Sequence, residues 1–120
     1  VIGFGMNDSG AGISLGEYKD NLQAILQTTR AGNPAAEFIL ISPTVPSPDC
    51  QGWTKLQPSY QQALETLAQE LRGVVVAPMT KVQQFLLSRK RYADVSGNGV
   101  NHPNDFMARI HAQVIVQCLL

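Results

Sequence analysis

Phe38-Ile39-Leu40-Ile41 is a run of four apolar residues with no polar break. A strand with one face in water alternates apolar and polar residues, so an unbroken run is the pattern of a parallel strand covered on both faces. Upstream, Leu15, Tyr18, Leu22, Ile25, Leu26 and Thr29 recur at helical spacing. Ser14 and Glu17 form an S-x-x-E capping box ahead of them, and Gly32 with Pro34 closes the helix. Before that helix, Asn7 to Gly12 reads as a Gly-rich loop, and Val1-Ile2-Gly3-Phe4-Gly5-Met6 as the end of a buried strand. Downstream, Pro43, Pro46 and Pro48 make the chain irregular to about Lys55. Tyr60, Leu64, Leu67 and Leu71 then mark a second helix closed by Gly73, and Val74-Val75-Val76 a third buried strand ended by Pro78. Thr80 is expected to cap a short helix carrying Val82, Phe85 and Leu86. A Gly/Asn-rich loop spans Asp94 to Pro103, and the last helix starts near Asn104 with Phe106, Ile110, Val114 and Cys118 on one face.

Strands alternating with helices, with the strands fully apolar, predict an α/β fold: three layers, α/β/α, around a parallel sheet. Right-handed crossovers place helices on both faces. In such sheets ligands bind beyond the carboxyl ends of the strands. The loops there are Asn7 to Gly12, Pro43 to Lys55 and, by proximity, Asp94 to Pro103.

The chain has 120 residues, 44% hydrophobic and 15% charged, with a formal net charge of zero. Residues 1–120 amount by length to about one domain, enough for a core of their own. The charge balance argues against nucleic acid as a partner, because that surface needs clustered Lys and Arg. The apolar content argues against disorder, and no apolar run approaches the ~20 residues that span a bilayer. Arg89-Lys90-Arg91 reads as a solvated helix end. Cys50 and Cys118 are able to pair or to stand as separate thiols, and their spacing does not decide. No His or Cys stands beside them at metal-ligand spacing. The chain opens at Val1 inside an apparent core strand, without an initiator Met or a signal-peptide layout, so a fragment is expected.

Gly5-Met6-Asn7-Asp8 follows the first strand. A side-chain amide there is able to donate to a developing oxyanion, although Asn and Asp after a strand also make ordinary Asx turns. His102 precedes Pro103 at the foot of the last helix. An imidazole, with an unperturbed pKa near 6.5, suits general-base work, and an exposed loop histidine is the plainer alternative. Asn104 and Asp105 read as caps for that helix. His111, inside it, reads as structural. Gly12-Ile13-Ser14-Leu15-Gly16 matches G-x-S-x-G, the nucleophile elbow of α/β hydrolases. Ser14, Asp94 and His102 would even follow that fold's order of nucleophile, acid and base. An elbow needs a strand running into the turn, however, whereas Ser14 follows Asp8-Ser9-Gly10-Ala11-Gly12 and is already explained as a helix cap.

The two loops together resemble those of the SGNH hydrolases, the GDSL-type esterase/lipase family. Gly5-Met6-Asn7-Asp8 is similar to the family's G-x-N-D block, and Asn98-Gly99-Val100-Asn101-His102-Pro103-Asn104-Asp105 to its last block, which carries the catalytic His. The order of strands and helices between the blocks also agrees, so the resemblance covers essentially the whole chain. It implies the flavodoxin-like SGNH fold, truncated at its start, and ester hydrolysis in which His102 is the base and Asn7 an oxyanion donor. Asp8 would brace the loop with Gly5, and no cofactor is implied. The family's blocks with the nucleophilic Ser and a second oxyanion Gly have no counterpart here. Its usual Asp three residues before the His is Gly99, which leaves Asp94 as the candidate acid, or a backbone carbonyl, or a Ser-His dyad. The substrate implied is a small-molecule or carbohydrate ester, with Trp53 a candidate for stacking on a sugar ring or for simple loop packing. The partner implied is a missing N-terminal half or a second copy along the first strand. The rival readings are a self-contained hydrolase using Ser14 and a non-catalytic α/β binding module.

Overall fold

The computed structural model describes residues 1–50 and 55–120. In chain order the elements are α1 (Met6–Ala11), α2 (Leu15–Gly32), β1 (Phe38–Ile41), α3 (Gln57–Glu70), β2 (Val74–Ala77), α4 (Met79–Leu87) and α5 (Asp105–Gln117), with a 3-10 turn at Tyr92–Asp94 before α5. β1 and β2 pair in parallel, Phe38 opposite Val74 through Ile41 opposite Ala77. Ile2 adds one parallel bridge on the far side of β1: its amide donates to the Ile39 carbonyl at 2.9 Å and its carbonyl accepts from Ile41 at 2.7 Å. The expected first strand is thus a single bridge. The chain leaves the ladder because the Phe4 carbonyl is taken by the Tyr18 hydroxyl at 3.0 Å and Gly5 turns to a φ of 123°. The expected loop from Asn7 is mostly the short helix α1.

Alternation along β1 sorts the core into two layers. Phe38 and Leu40 pack with Tyr18, Leu22 and Leu26 of α2, Tyr60, Leu64 and Leu67 of α3, and Val74. Ile41 joins Met79, Val82 and Leu86 of α4, Val95, and Met107, Ile110 and Val114 of α5. The α/β class and the parallel sheet are as the apolar runs predict. β2 departs from full burial, with Val75 exposed on an edge strand.

The caps fix which face each helix buries. Ser14 Oγ accepts the Glu17 amide at 3.2 Å, and the buried stripe of α2 is then Tyr18, Leu22 and Leu26; Leu15, Ile25 and Thr29 lie outside it. Asn104 caps α5 by accepting the Met107 amide at 3.0 Å, which turns Met107 inward and leaves Phe106 exposed under Lys90. In α4 the residue expected to cap is instead buried: Pro78 precedes the helix, and the Thr80 hydroxyl donates to the Pro43 carbonyl at 2.6 Å. Phe85 points to solvent beneath Arg89. Cys50 and Cys118 are unpaired thiols. Among the described residues no helix is long and apolar enough to cross a membrane.

Candidate functional site

Past the carboxyl end of β1 lies an open cavity of about 430 Å³, lined by residues 3–8, 41–44, 101–103 and His111. Each wall is held by its own local chemistry.

The first wall is the Gly5–Asp8 turn into α1. The Gly5 amide donates to Asp8 Oδ2 at 3.1 Å, closing the turn. Gly5 is buried, at a φ of 123°, and a Cβ there would meet Pro43 Cγ at 3.0 Å and the Tyr18 hydroxyl at 3.1 Å, so no other residue fits this turn without strain. Two residues past Asn7, the buried Ser9 hydroxyl accepts from Gln57 Nε2 at 2.6 Å, which ties α1 to the start of α3. Asn7 is exposed on this short helix and faces the cavity.

The second wall is the loop that carries His102. Asn98 Oδ1 accepts from three successive amides, Val100 at 2.9 Å, Asn101 at 2.9 Å and His102 at 3.0 Å. Its Nδ2 donates to Asn101 Oδ1 at 3.1 Å. The His102 carbonyl accepts from Gly97 at 2.8 Å, and a Cβ on Gly97 would meet the Pro103 carbonyl oxygen at 3.1 Å. The Tyr92 hydroxyl reaches the carbonyls of Val100 at 2.9 Å and Val45 at 3.1 Å, pinning the loop to the segment after β1. Burial pushes the Tyr92 phenol above its ordinary value.

The third wall, Ser42–Thr44, is set by a buried polar knot. Ser42 Oγ donates to Gln61 Oε1 at 2.9 Å and accepts the Thr80 amide at 3.0 Å, while Gln83 Oε1 accepts the Val45 amide at 2.6 Å. This network was not legible in the sequence, because Thr80 and Gln61 look like ordinary helix residues until the fold brings them to Ser42.

Asn7 and His102, 95 positions apart, thus line one cavity. Asp94 does not join them. Its carboxylate accepts the Arg91 amide at 3.0 Å and Arg91 Nη2 at 3.0 Å, and this hydrogen bonding lowers its acid below its ordinary value. Among the described residues no side chain bonds the His102 ring. Ser14 is the exposed cap of α2, outside the cavity lining. Trp53 lies outside the described residues. His111, read from the sequence as structural, lines the cavity from α5. No group of three metal-ligating side chains occurs among the described residues.

Residues 1–110 match the family model described as the GDSL-like Lipase/Acylhydrolase family. No curated protein and no solved structure matches the chain.

Proposed function

The chain belongs to the GDSL-like lipase/acylhydrolase family, which makes ester hydrolysis its reaction class; on that premise we propose that it supplies the base and an oxyanion donor of a serine esterase. The observation that carries this reading is the meeting of Asn7 and His102 in one cavity. In the proposed reaction a serine hydroxyl attacks the ester carbonyl and His102 takes the proton. The Asn7 amide donates to the oxygen that becomes negative, a role worth ~2.7–4 kcal/mol for one donor. Collapse of the intermediate expels the alcohol, which receives its proton from His102, and water repeats the cycle to free the acid.

The serine is proposed to come from a segment other than residues 1–120. Two hydroxyls line the cavity among the described residues, and neither suits the role. Ser42 is buried and committed to Gln61 and Thr80; Thr44 has no bond to either imidazole. With Asp94 committed to Arg91, His102 is proposed to work as a dyad with the serine. The substrate is proposed to be the ester of an uncharged, hydroxyl-bearing alcohol such as an acetylated carbohydrate, since among the described residues the cavity lining carries neutral amide and hydroxyl groups, two imidazoles and one carboxylate, with no Lys or Arg.

Fluorophosphonate labelling read by intact mass is the deciding experiment. The expected result is no adduct on the 13.0 kDa chain and an adduct on a serine-bearing segment bound to it. An adduct on the chain itself would overturn the assignment and return Ser14 to the mechanism. With the serine segment in place, His102→Ala is expected to cut ester turnover ~10²-fold or more, and Asp94→Asn to change it by less than ~10-fold. An unchanged rate in His102→Ala removes that imidazole from the chemistry.

A further inference from the structure

The chain has two histidines, and both line the same cavity. The place of the second is set by the register of α5. Asn104 caps the helix and turns Met107 into the core, and His111, one turn on, follows on the same side, half-buried. Its Nδ1 lies 2.8 Å from the Met107 carbonyl oxygen. A carbonyl oxygen only accepts, so Nδ1 carries the hydrogen, and the neutral ring keeps its lone pair on Nε2. No other group among the described residues bonds this ring. The helix therefore presents an imidazole of fixed tautomer whose remaining nitrogen is an acceptor.

The rest of the lining indicates what that acceptor meets. Asn7, Asn101 and Thr44 are neutral hydrogen-bonding side chains, His102 adds its imidazole, and the one carboxylate, Asp8, accepts the Gly5 amide through Oδ2. Among the described residues no Lys or Arg lines the cavity to neutralise an anion. We propose that His111 is a specificity-determining residue of this site, its Nε2 accepting a hydrogen bond from a hydroxyl group of an uncharged polyol. This rests on the esterase reading only in taking that polyol to be the alcohol part of the ester; the binding itself does not depend on a nucleophile.

The test uses the 120-residue chain without any serine segment. Long-range ¹H–¹⁵N correlations of the two imidazoles are followed while methyl β-D-xylopyranoside is added. The expected result is an Nδ1–H tautomer for His111 in the free chain and a saturable shift of its Nε2 on addition of the glycoside. His111→Leu is expected to weaken binding at least about tenfold through loss of the acceptor, whereas His111→Gln, which keeps an acceptor oxygen, stays within about threefold. Amide dispersion reports whether each variant folds; should His111→Leu fail to fold, the wild-type shift and His111→Gln decide. An Nε2–H tautomer, the absence of a saturable shift, or binding indifferent to His111→Leu would each overturn the proposal. The esterase reading fails separately, in the labelling experiment, and a chain that binds the glycoside through His111 yet supports no ester turnover would tell the two apart.

Discussion

Asn98 Oδ1 gathers the amides of Val100, Asn101 and His102, so a single side chain sets the backbone that presents the imidazole. Removing it leaves three amides to water and frees the loop to wander. Asn98→Ala is expected to lower ester turnover of the assembled enzyme by about 10- to 100-fold, since an ångström of misplacement is able to cost that much. Asn98→Asp, which keeps the acceptor, is expected to retain most of the rate; equal loss in both would show that the loop is held by other means. His102 and Asn7 stood out as candidates because each sits in a recognisable motif, and the fold brings both to one cavity. Asn98 was visible only as a residue four before the His, because an Asx-type bond to three amides depends on loop geometry that composition does not encode.

The stacked pair Tyr18 and Tyr60, with ring centroids 4.1 Å apart, makes a second prediction at this scale. The Tyr18 hydroxyl donates to the Phe4 carbonyl and that of Tyr60 to the Ile13 carbonyl. Burial, then the Asp8 charge, raises both phenols above their ordinary value of 10.0. A group whose folded pKa is raised favours folding while it stays protonated, and that contribution is lost as pH climbs past the unfolded value. Stability by urea denaturation should therefore hold to about pH 10 and fall beyond it, and the fall should be shallower in Tyr18→Phe. A wild-type profile flat from pH 8 to 11 would refute this.

At the scale of elements, the sequence predicts which segments are helices or strands better than which faces they bury. Spacing located α2, α3, α4 and α5, because apolar residues at helical period survive any small error of register. The faces were set instead by the cap atoms. Asn104 on the Met107 amide makes 107, 110, 111 and 114 the inner row and expels Phe106, and the Thr80 hydroxyl turns inward to Pro43 where a cap was expected. The outward aromatics are covered by cations, Arg89 over Phe85 at 4.3 Å and Lys90 over Phe106 at 5.1 Å, a solution that a hydrophobicity pattern does not show. The Thr80 knot also gives the element-scale prediction. Thr80→Val keeps the volume and removes the hydroxyl, leaving the Pro43 carbonyl with a lost partner. It is expected to cost about 1–3 kcal/mol in urea denaturation, with Thr80→Ser nearer to wild type. A loss in Thr80→Val below about 0.5 kcal/mol would show that the knot does not hold this wall.

For the whole molecule the governing feature is the far side of Ile2. That residue spends its amide and carbonyl on β1, so the backbone groups of Val1 and Gly3 face the other way, as alternate residues of a parallel strand do. Val1 and Phe4 stand 74% and 57% exposed beside that edge, large apolar side chains next to backbone groups ready to pair. Proteins guard such edges with charge or cover them, and here neither device is present between Val1 and Gly5. The same edge borders the cavity, since Gly3 and Phe4 line it, so whatever pairs there arrives beside Asn7 and His102. The isolated chain is therefore expected to self-associate, giving a sedimentation coefficient that rises with concentration in the micromolar range, and Phe4→Lys is expected to suppress that rise by placing a charge on the edge. Addition of a serine-bearing segment should compete with self-association, because both need the one strand edge. A chain that stays monomeric and stable at high concentration would remove the edge as a docking site and with it the proposed route by which a nucleophile reaches His102.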